Sequence, residues 1–446
     1  MIKYIALRLK RKLKLMLFNN KIDKSSIVAH VDNKIPQYSN KLELQGNDEQ
    51  QGRVPHLQIV GKEQNHATQV SNHLSINIWG YLNYIFGIST TTRDFIYILS
   101  DRFKNYTLIP LQMTTKTRVK GFDISTLGQT SYPQPSSKTN LLFVNADSIV
   151  DFFAKNKKYL RGKYNIAVYW WEFPNYLSFP GIFDNINEVL VFSSVCYQAV
   201  LQAKPERIKL SRLTYPFILK EPTKTIKGSK VRFGLNDEDF IVMYIFDVHS
   251  SVERKNPYGV IDAFAIACKD IPNAKLVLKV TNFELWRKEC VELQNYIESS
   301  QIANRCVIIT DNLSDEDIRN LINCCDVYLS LHRAEGFGIS MLEAMSMGKA
   351  VIATNYGGNL DFMQHEQNSI LVAYKEVEVQ KDFGPYKKGW IWANPDIHEA
   401  ATALTKLAKD RSYYKTIARK AREDAYLQYS LTKLQLEFAG YIKSKI

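Results

Sequence analysis

Two glutamates eight positions apart, Glu335 and Glu343, bracket a short glycine-bearing run, Gly336-Phe337-Gly338-Ile339. An apolar, strand-like stretch at 327–331 precedes them, and a helical stretch begins at Ser340. One carboxylate then sits on the turn and the other in the first turns of the helix, and both can face one crevice. A helix N-terminus presents unpaired N–H groups and partial positive charge, which suits phosphate. Glycines leave the backbone bare for close approach. The same spacing would serve a helix whose acidic first turn merely offsets its dipole, and E-x7-E alone does not separate the two. A second strand at 350–354 ends in another glycine turn, Gly357-Gly358-Asn359, so successive strand-turn-helix units would build the rim of a parallel sheet, where ligands bind.

A second chemical group lies upstream, in FDVHSSVERKNPYG at 246–259. Pro257 marks a helix start, which puts Arg254 and Lys255 at the carboxyl end of a strand, suited to neutralise a diphosphate. His332-Arg333, directly before Ala334-Glu335, is expected to face the same cleft, although a lone His beside a strand is more often structural. In the amino half, Phe143 to Asp147 (FVNAD) and Tyr169 to Pro174 (YWWEFP) follow apolar runs, so Asn145, Asp147 and Glu172 fall on the cleft side. Trp170 or Trp171 would either stack on a sugar or pack with Glu172 as a cap. The acidic triplets Asp237-Glu238-Asp239 and Asp315-Glu316-Asp317 resemble metal-binding DxD runs. Both sit at element starts, with Ser314 as an N-cap, and are read as structural. No metal and no cofactor is expected.

The extended string EGFG-x4-EAM-x2-GK-x-VIAT-x3-G resembles the carboxyl-half signature of retaining glycosyltransferases of family 4. That resemblance implies the GT-B fold: α/β, two Rossmann-like doubly wound domains facing a central cleft. It implies transfer of a hexose, mannose favoured, from a nucleotide sugar to a glycan or lipid-linked acceptor in cell-surface polysaccharide or O-antigen synthesis. By resemblance Glu335 lies by the donor sugar, Glu343 bonds the ribose, and the amides of Gly336 to Gly338 bind the diphosphate, with Ile339, His332, Arg333, Gly358 and Asn359 on the donor side. RKNP matches the family's diphosphate-binding basic pair, with His249 where many relatives have an Arg. Gly80, Tyr81 and Gly87 resemble the acceptor-side glycine loop, and Asn145, Asp147, Trp171 and Glu172 fall in segments that members with the LHRxEGFG string share. The alternatives are a nucleotide-sugar epimerase, within enzymology, and, from another class, a catalytically inactive glycan-binding or scaffolding subunit at the membrane.

Stepwise alternation of strand and helix positions these groups. The expected order is a basic amphipathic helix at 1–20, a low-order polar linker at 21–72, an acceptor domain at 73–222, a nucleotide-sugar domain at 223–410, and helices at 411–446 that cross back to the first domain. The expected first helix of the acceptor domain runs over 93–103. Of the net charge of +13, residues 1–25 carry seven, which suits an anionic membrane surface. The six left over 421 residues do not call for nucleic acid. Six cysteines without C-x-x-C spacing read as reduced thiols, and charges interrupt the first eighteen residues too often for a signal peptide. The expected location is cytoplasmic, peripheral on the inner face of the membrane.

Overall fold

The computed structural model describes residues 75–84, 86–112, 122–123, 127, 137–173, 181–219, 221, 229–283, 287–383 and 385–446. The expected basic helix and linker lie outside the described residues.

The first half begins with β1 (Ile76–Gly80), α1 (Gly87–Ser100), β2 (Tyr106–Pro110), β3 (Thr139–Leu142) and α2 (Ala146–Leu160). It continues with β4 (Tyr164–Val168), β5 (Glu188–Val191), α3 (Ser194–Ala203) and β6 (Lys209–Arg212). These strands form one six-stranded parallel sheet in the order β2-β1-β3-β4-β5-β6. Helix α1 starts six residues before the expected 93–103. Its Ser-Thr-Thr-Thr run reads as non-helical, but Thr91 and Thr92 donate back to the carbonyls of Gly87 and Ile88 at 2.8 and 2.7 Å, which satisfies the hydroxyls inside the helix.

In the second half come α4 (Ser229–Arg232), β7 (Phe240–Asp247), α5 (Val252–Lys255), α6 (Pro257–Ala267), β8 (Ala274–Thr281), α7 (Arg287–Ser299) and β9 (Cys306–Ile309). Then follow α8 (Asp315–Cys324), β10 (Val327–Ser330), α9 (Ile339–Ser346), β11 (Ala350–Thr354) and β12 (Ile370–Val372). A second parallel sheet results, in the order β12-β11-β10-β7-β8-β9. An antiparallel hairpin, β13 (Tyr374–Glu378) with β14 (Ile391–Pro395), precedes α10 (Ile397–Lys409), α11 (Arg411–Gln428) and α12 (Leu431–Lys443). The sequence reading had neither β6 nor this hairpin.

Strand order locates the site. The second sheet grows outward from β7 to β9 and resumes at β10 on the other flank of β7, so the crevice opens where Arg254-Lys255 and Glu335-Gly336 emerge, at the topological switch point. The chain's last helix packs on the first half: Phe438 stacks on Phe95 of α1 at 4.7 Å. Nearby, the buried carboxylate of Glu188 accepts from Tyr164, Ser211, Tyr441 and Lys445 at 2.6–2.8 Å. Burial would raise its pKa, but these four donors outweigh that and lower it.

Candidate functional site

A cleft of about 630 Å3 runs between the carboxyl ends of the two sheets. Its second-half wall is cross-braced by short polar links. Asn256, with φ +51°, caps α6 by accepting from the Gly259 amide at 3.2 Å, while its Nδ2 donates to Leu331 O at 2.7 Å. The turn after β7 is thereby tied to the turn after β10. Arg254 is 3 % exposed and donates to Ala334 O at 2.8 Å and Ser250 O at 3.2 Å. The Tyr244 hydroxyl donates to Lys255 O at 2.7 Å. Arg254 and Lys255 therefore lie in their own helical turn, α5, braced from both sides rather than in a solvated loop.

Lys255 Nζ pairs with Glu335 Oε2, and Arg254 lies 4.0 Å from the same oxygen. Burial would raise the pKa of Glu335, but Lys255 and Arg254 outweigh it and hold the carboxyl at about 2. Burial works against the charge on Arg254 as well, yet Tyr386, Glu172 and Glu335 leave its pKa raised. Gly338, at φ +96°, turns the chain into α9, and no side chain caps that helix. Glu343, on α9, lines the cleft beside Ile339 and the Gly336–Gly338 backbone. A fixed cation pair, a carboxylate held ionised and a helix N-terminus thus meet at one point, where they can bind a diphosphate and hold a charge next to it.

The first half contributes Gly87, Asn145, Asp147, Trp171 and Glu172 to the same cleft. Asn145 accepts from the Trp170 amide at 3.1 Å, which ties the turn after β3 to the turn after β4. Trp171 offers no ring face for stacking: it is 4 % exposed, with its ring 6.0 Å from those of both Tyr386 and Trp390.

Six expected residues do not line the cleft. His332 is fully buried, with Nδ1 3.0 Å from Ser330 Oγ and Nε2 2.8 Å from Tyr356 O. Burial lowers its pKa, and the neutral ring braces the turn. Arg333 turns away, its guanidinium 5.2 Å from the Trp392 ring. Gly358 and Asn359 are buried behind the first turn: the Gly358 amide donates to Glu335 O at 2.8 Å, and a Cβ on Gly358 would lie 2.0 Å from Gly336 O. The second glycine turn props the first. Gly80 packs on α1, where a Cβ would meet Thr92 Cγ2 at 2.8 Å, and Tyr81 packs on Tyr84 and Phe86 at the border.

Both acidic triplets have structural bonds. Ser314 caps α8 through the Asp317 amide at 3.1 Å, Asp317 pairs with Arg232 at 2.6 Å, and Asp239 accepts from the Asn236 amide at 2.7 Å. Among the described residues, no group of three His, Cys, Asp or Glu is placed to hold a metal ion, and no helix is long and apolar enough to cross a membrane. Sequence reasoning missed Tyr386, which reaches the cleft from the loop of the β13–β14 hairpin. Its available signal was the Gly-Pro turn in FGPYKKGW between two β-compatible runs.

Residues 229–382 match the family model described as Glycosyl transferases group 1. The chain carries a group 1 glycosyl transferase domain. Over 204 residues it is 26% identical to "Putative glycosyltransferase YtcC" of Bacillus subtilis (strain 168), covering 43% of this chain and 48% of that one. It is 23% identical over 209 residues to N-acetyl-alpha-D-glucosaminyl L-malate synthase of Bacillus anthracis, covering 47% and 46% respectively. The chain thus spans about half the length of these curated relatives. Its fold is similar to that of Anabaena HepE, solved in complex with UDP and glucose, with a TM-score of 0.61, 18% identity, and coverage of 83% of this chain and 100% of that one. The matched stretch includes the Arg254-Lys255 turn, Glu335 and α9, and so holds the second-half wall of the cleft apart from Tyr386.

Proposed function

We propose that the protein is a retaining GT-B hexosyltransferase of family 4. The observation that carries this is the meeting of Arg254, Lys255, Glu335 and the N-terminus of α9 at the switch point of the second sheet. In the reaction, the bond from the anomeric carbon to the diphosphate oxygen breaks and its electron pair leaves with the diphosphate. The acceptor hydroxyl oxygen bonds to that carbon, on the same face, and its proton passes to the departing diphosphate. Arg254, Lys255 and the Gly336–Gly338 amides stabilise the charge that builds on the leaving group, and Glu335 orients the sugar. Glu343 is assigned to the ribose, and Asn145, Asp147 and Glu172 to the acceptor side. With two side-chain cations at the diphosphate, the reading needs no divalent metal.

Mannose is favoured by the family resemblance, and UDP-glucose is the competing donor suggested by HepE. The acceptor we assign is a glycan or lipid-linked glycan of a cell-surface polysaccharide, met at the inner face of the membrane through the basic residues at 1–18. Screening GDP-mannose, UDP-glucose and UDP-N-acetylglucosamine for thermal stabilisation, then for transfer, tests the reading. Absence of both stabilisation and turnover with every nucleotide sugar would refute it. Deleting residues 1–20 tests the membrane assignment: undiminished sedimentation with anionic vesicles refutes it.

A further inference from the structure

The β13–β14 hairpin is not part of either large sheet, since its strands pair only with each other. It is nonetheless fixed on both sides of the cleft. At its base the Ala393 amide donates to Arg333 O at 2.9 Å. At its far end Tyr386 stacks on Phe173 of the first half, centroids 4.7 Å apart, with Trp390 5.5 Å from the same ring. Tyr386 is 8 % exposed, and its ring centroid lies 5.7 Å from Arg254 Cζ. Its hydroxyl donates to Glu172 Oε2 at 3.3 Å, and the other oxygen of that carboxylate lies 3.8 Å from an Arg254 guanidinium nitrogen. Arg254 is therefore shared between Glu172 of the first half and Glu335 of the second.

We propose that Tyr386 is a positioning residue for sugar transfer that acts through Glu172: its hydroxyl holds one carboxylate oxygen so that the other draws Arg254 away from Glu335. The physical reason is the competition for one cation. Backbone carbonyls hold Nε and Nη1, Nη1 being also the nitrogen 4.0 Å from Glu335, while Nη2 has Glu172 3.8 Å away, so the two carboxylates pull on opposite ends of one guanidinium. If Glu172 swings away, Arg254 closes on Glu335 and joins Lys255 there. Glu335 is then fully neutralised, and the cation is withdrawn from the diphosphate whose departure it must assist. Hairpin docking thus couples closure of the two halves to the charge arrangement at the reacting bond.

This inference rests on the transfer reading above, and the experiment separates the two. With the full chain, and UDP-glucose and GDP-mannose as probes, hydrolysis or transfer is measured for Tyr386→Phe, Glu172→Gln, the double variant and Lys255→Ala. Tyr386→Phe keeps the ring and its stack on Phe173, so folding is retained. Its kcat is expected to fall roughly tenfold to a hundredfold, the cost of a lost bond to a charged group, with the donor KM changed by less than about twofold. The double variant should lose no more than the worse single variant, because both act on one path. A purely structural tyrosine would instead lower thermal stability and leave kcat alone. Unchanged kcat in Tyr386→Phe, or losses that multiply in the double variant, overturns the proposal. Wild-type turnover in Lys255→Ala overturns the transfer reading itself, whatever Tyr386→Phe does.

Discussion

The two halves share one architecture and build their cleft faces differently. In the second half, the turns after β7, β10 and β11 are tied to one another through backbone groups: Asn256 to Leu331 O, Arg254 to Ala334 O, and the Gly358 amide to Glu335 O. In the first half, the polar investment lies inside the sheet. Asn77 donates to Asn140, and Asn140 to Asn165, both at 2.8 Å, as a buried ladder across β1, β3 and β4. Its cleft face has one such tie, from the Trp170 amide to Asn145, and also uses single side chains such as Asp147, which is exposed on the first turn of α2. On the proposed function, a diphosphate site rewards rigid, pre-aimed groups, because stabilising a transition state requires donors already in place. On the same reading, an acceptor site rewards rim side chains that can change without disturbing the sheet beneath.

The comparison breaks first on activity. Lys255→Ala and Glu335→Ala should each lower kcat by about a hundredfold to a thousandfold while the protein stays folded. Asp147→Ala should act on the acceptor KM alone. Initial-rate kinetics with circular dichroism as a fold check decides this, and an equal kcat loss from Asp147→Ala would erase the contrast between the halves. Next in size, Glu188→Ala leaves Lys445 and two tyrosines unpaired and should destabilise by about 3–5 kcal/mol in denaturant unfolding.

Gly358→Ala pushes a Cβ into the Gly336 carbonyl and should cost about 1–3 kcal/mol while also lowering donor affinity. A stability loss with unchanged affinity would uncouple the second glycine turn from the first. The pH dependence sharpens the electrostatics. The pKa of Glu335 is depressed from 4.5 to about 2, so its pair with Lys255 contributes stability that is complete above 4.5 and is lost as pH falls towards 2. Glu335→Gln should flatten that part of the pH–stability curve. The smallest expected effect is that of His249→Ala, an exposed position at the cleft edge, which should move stability by less than about 0.5 kcal/mol and act only on donor KM.

Legibility was uneven in both halves, since the β13–β14 hairpin of the second was missed as was β6 of the first. In the second half, helix 315–324 and strand 350–354 were readable to the residue, because Ser314 with its acidic first turn and the Val-Ile-Ala run between Gly and Asn are local signals. In the first half the start of α1 was missed, because its threonines satisfy themselves only once the helix exists. The asparagine ladder likewise has no period in sequence. It depends on three strands that become neighbours only when the sheet forms.

Local chemistry therefore determined the alternation of elements, the glycine turn, the basic pair and the glutamates around it, since each rests on residues a few positions apart. Only the tertiary structure decided that His332 and Asn359 face inward, that the second glycine turn props the first, and that Tyr386 and Glu172 reach Arg254 from separate parts of the chain. Those outcomes turn on which surfaces meet when two sheets and a hairpin pack, and contacts separated by 214 positions, as between Glu172 and Tyr386, leave no trace in local spacing.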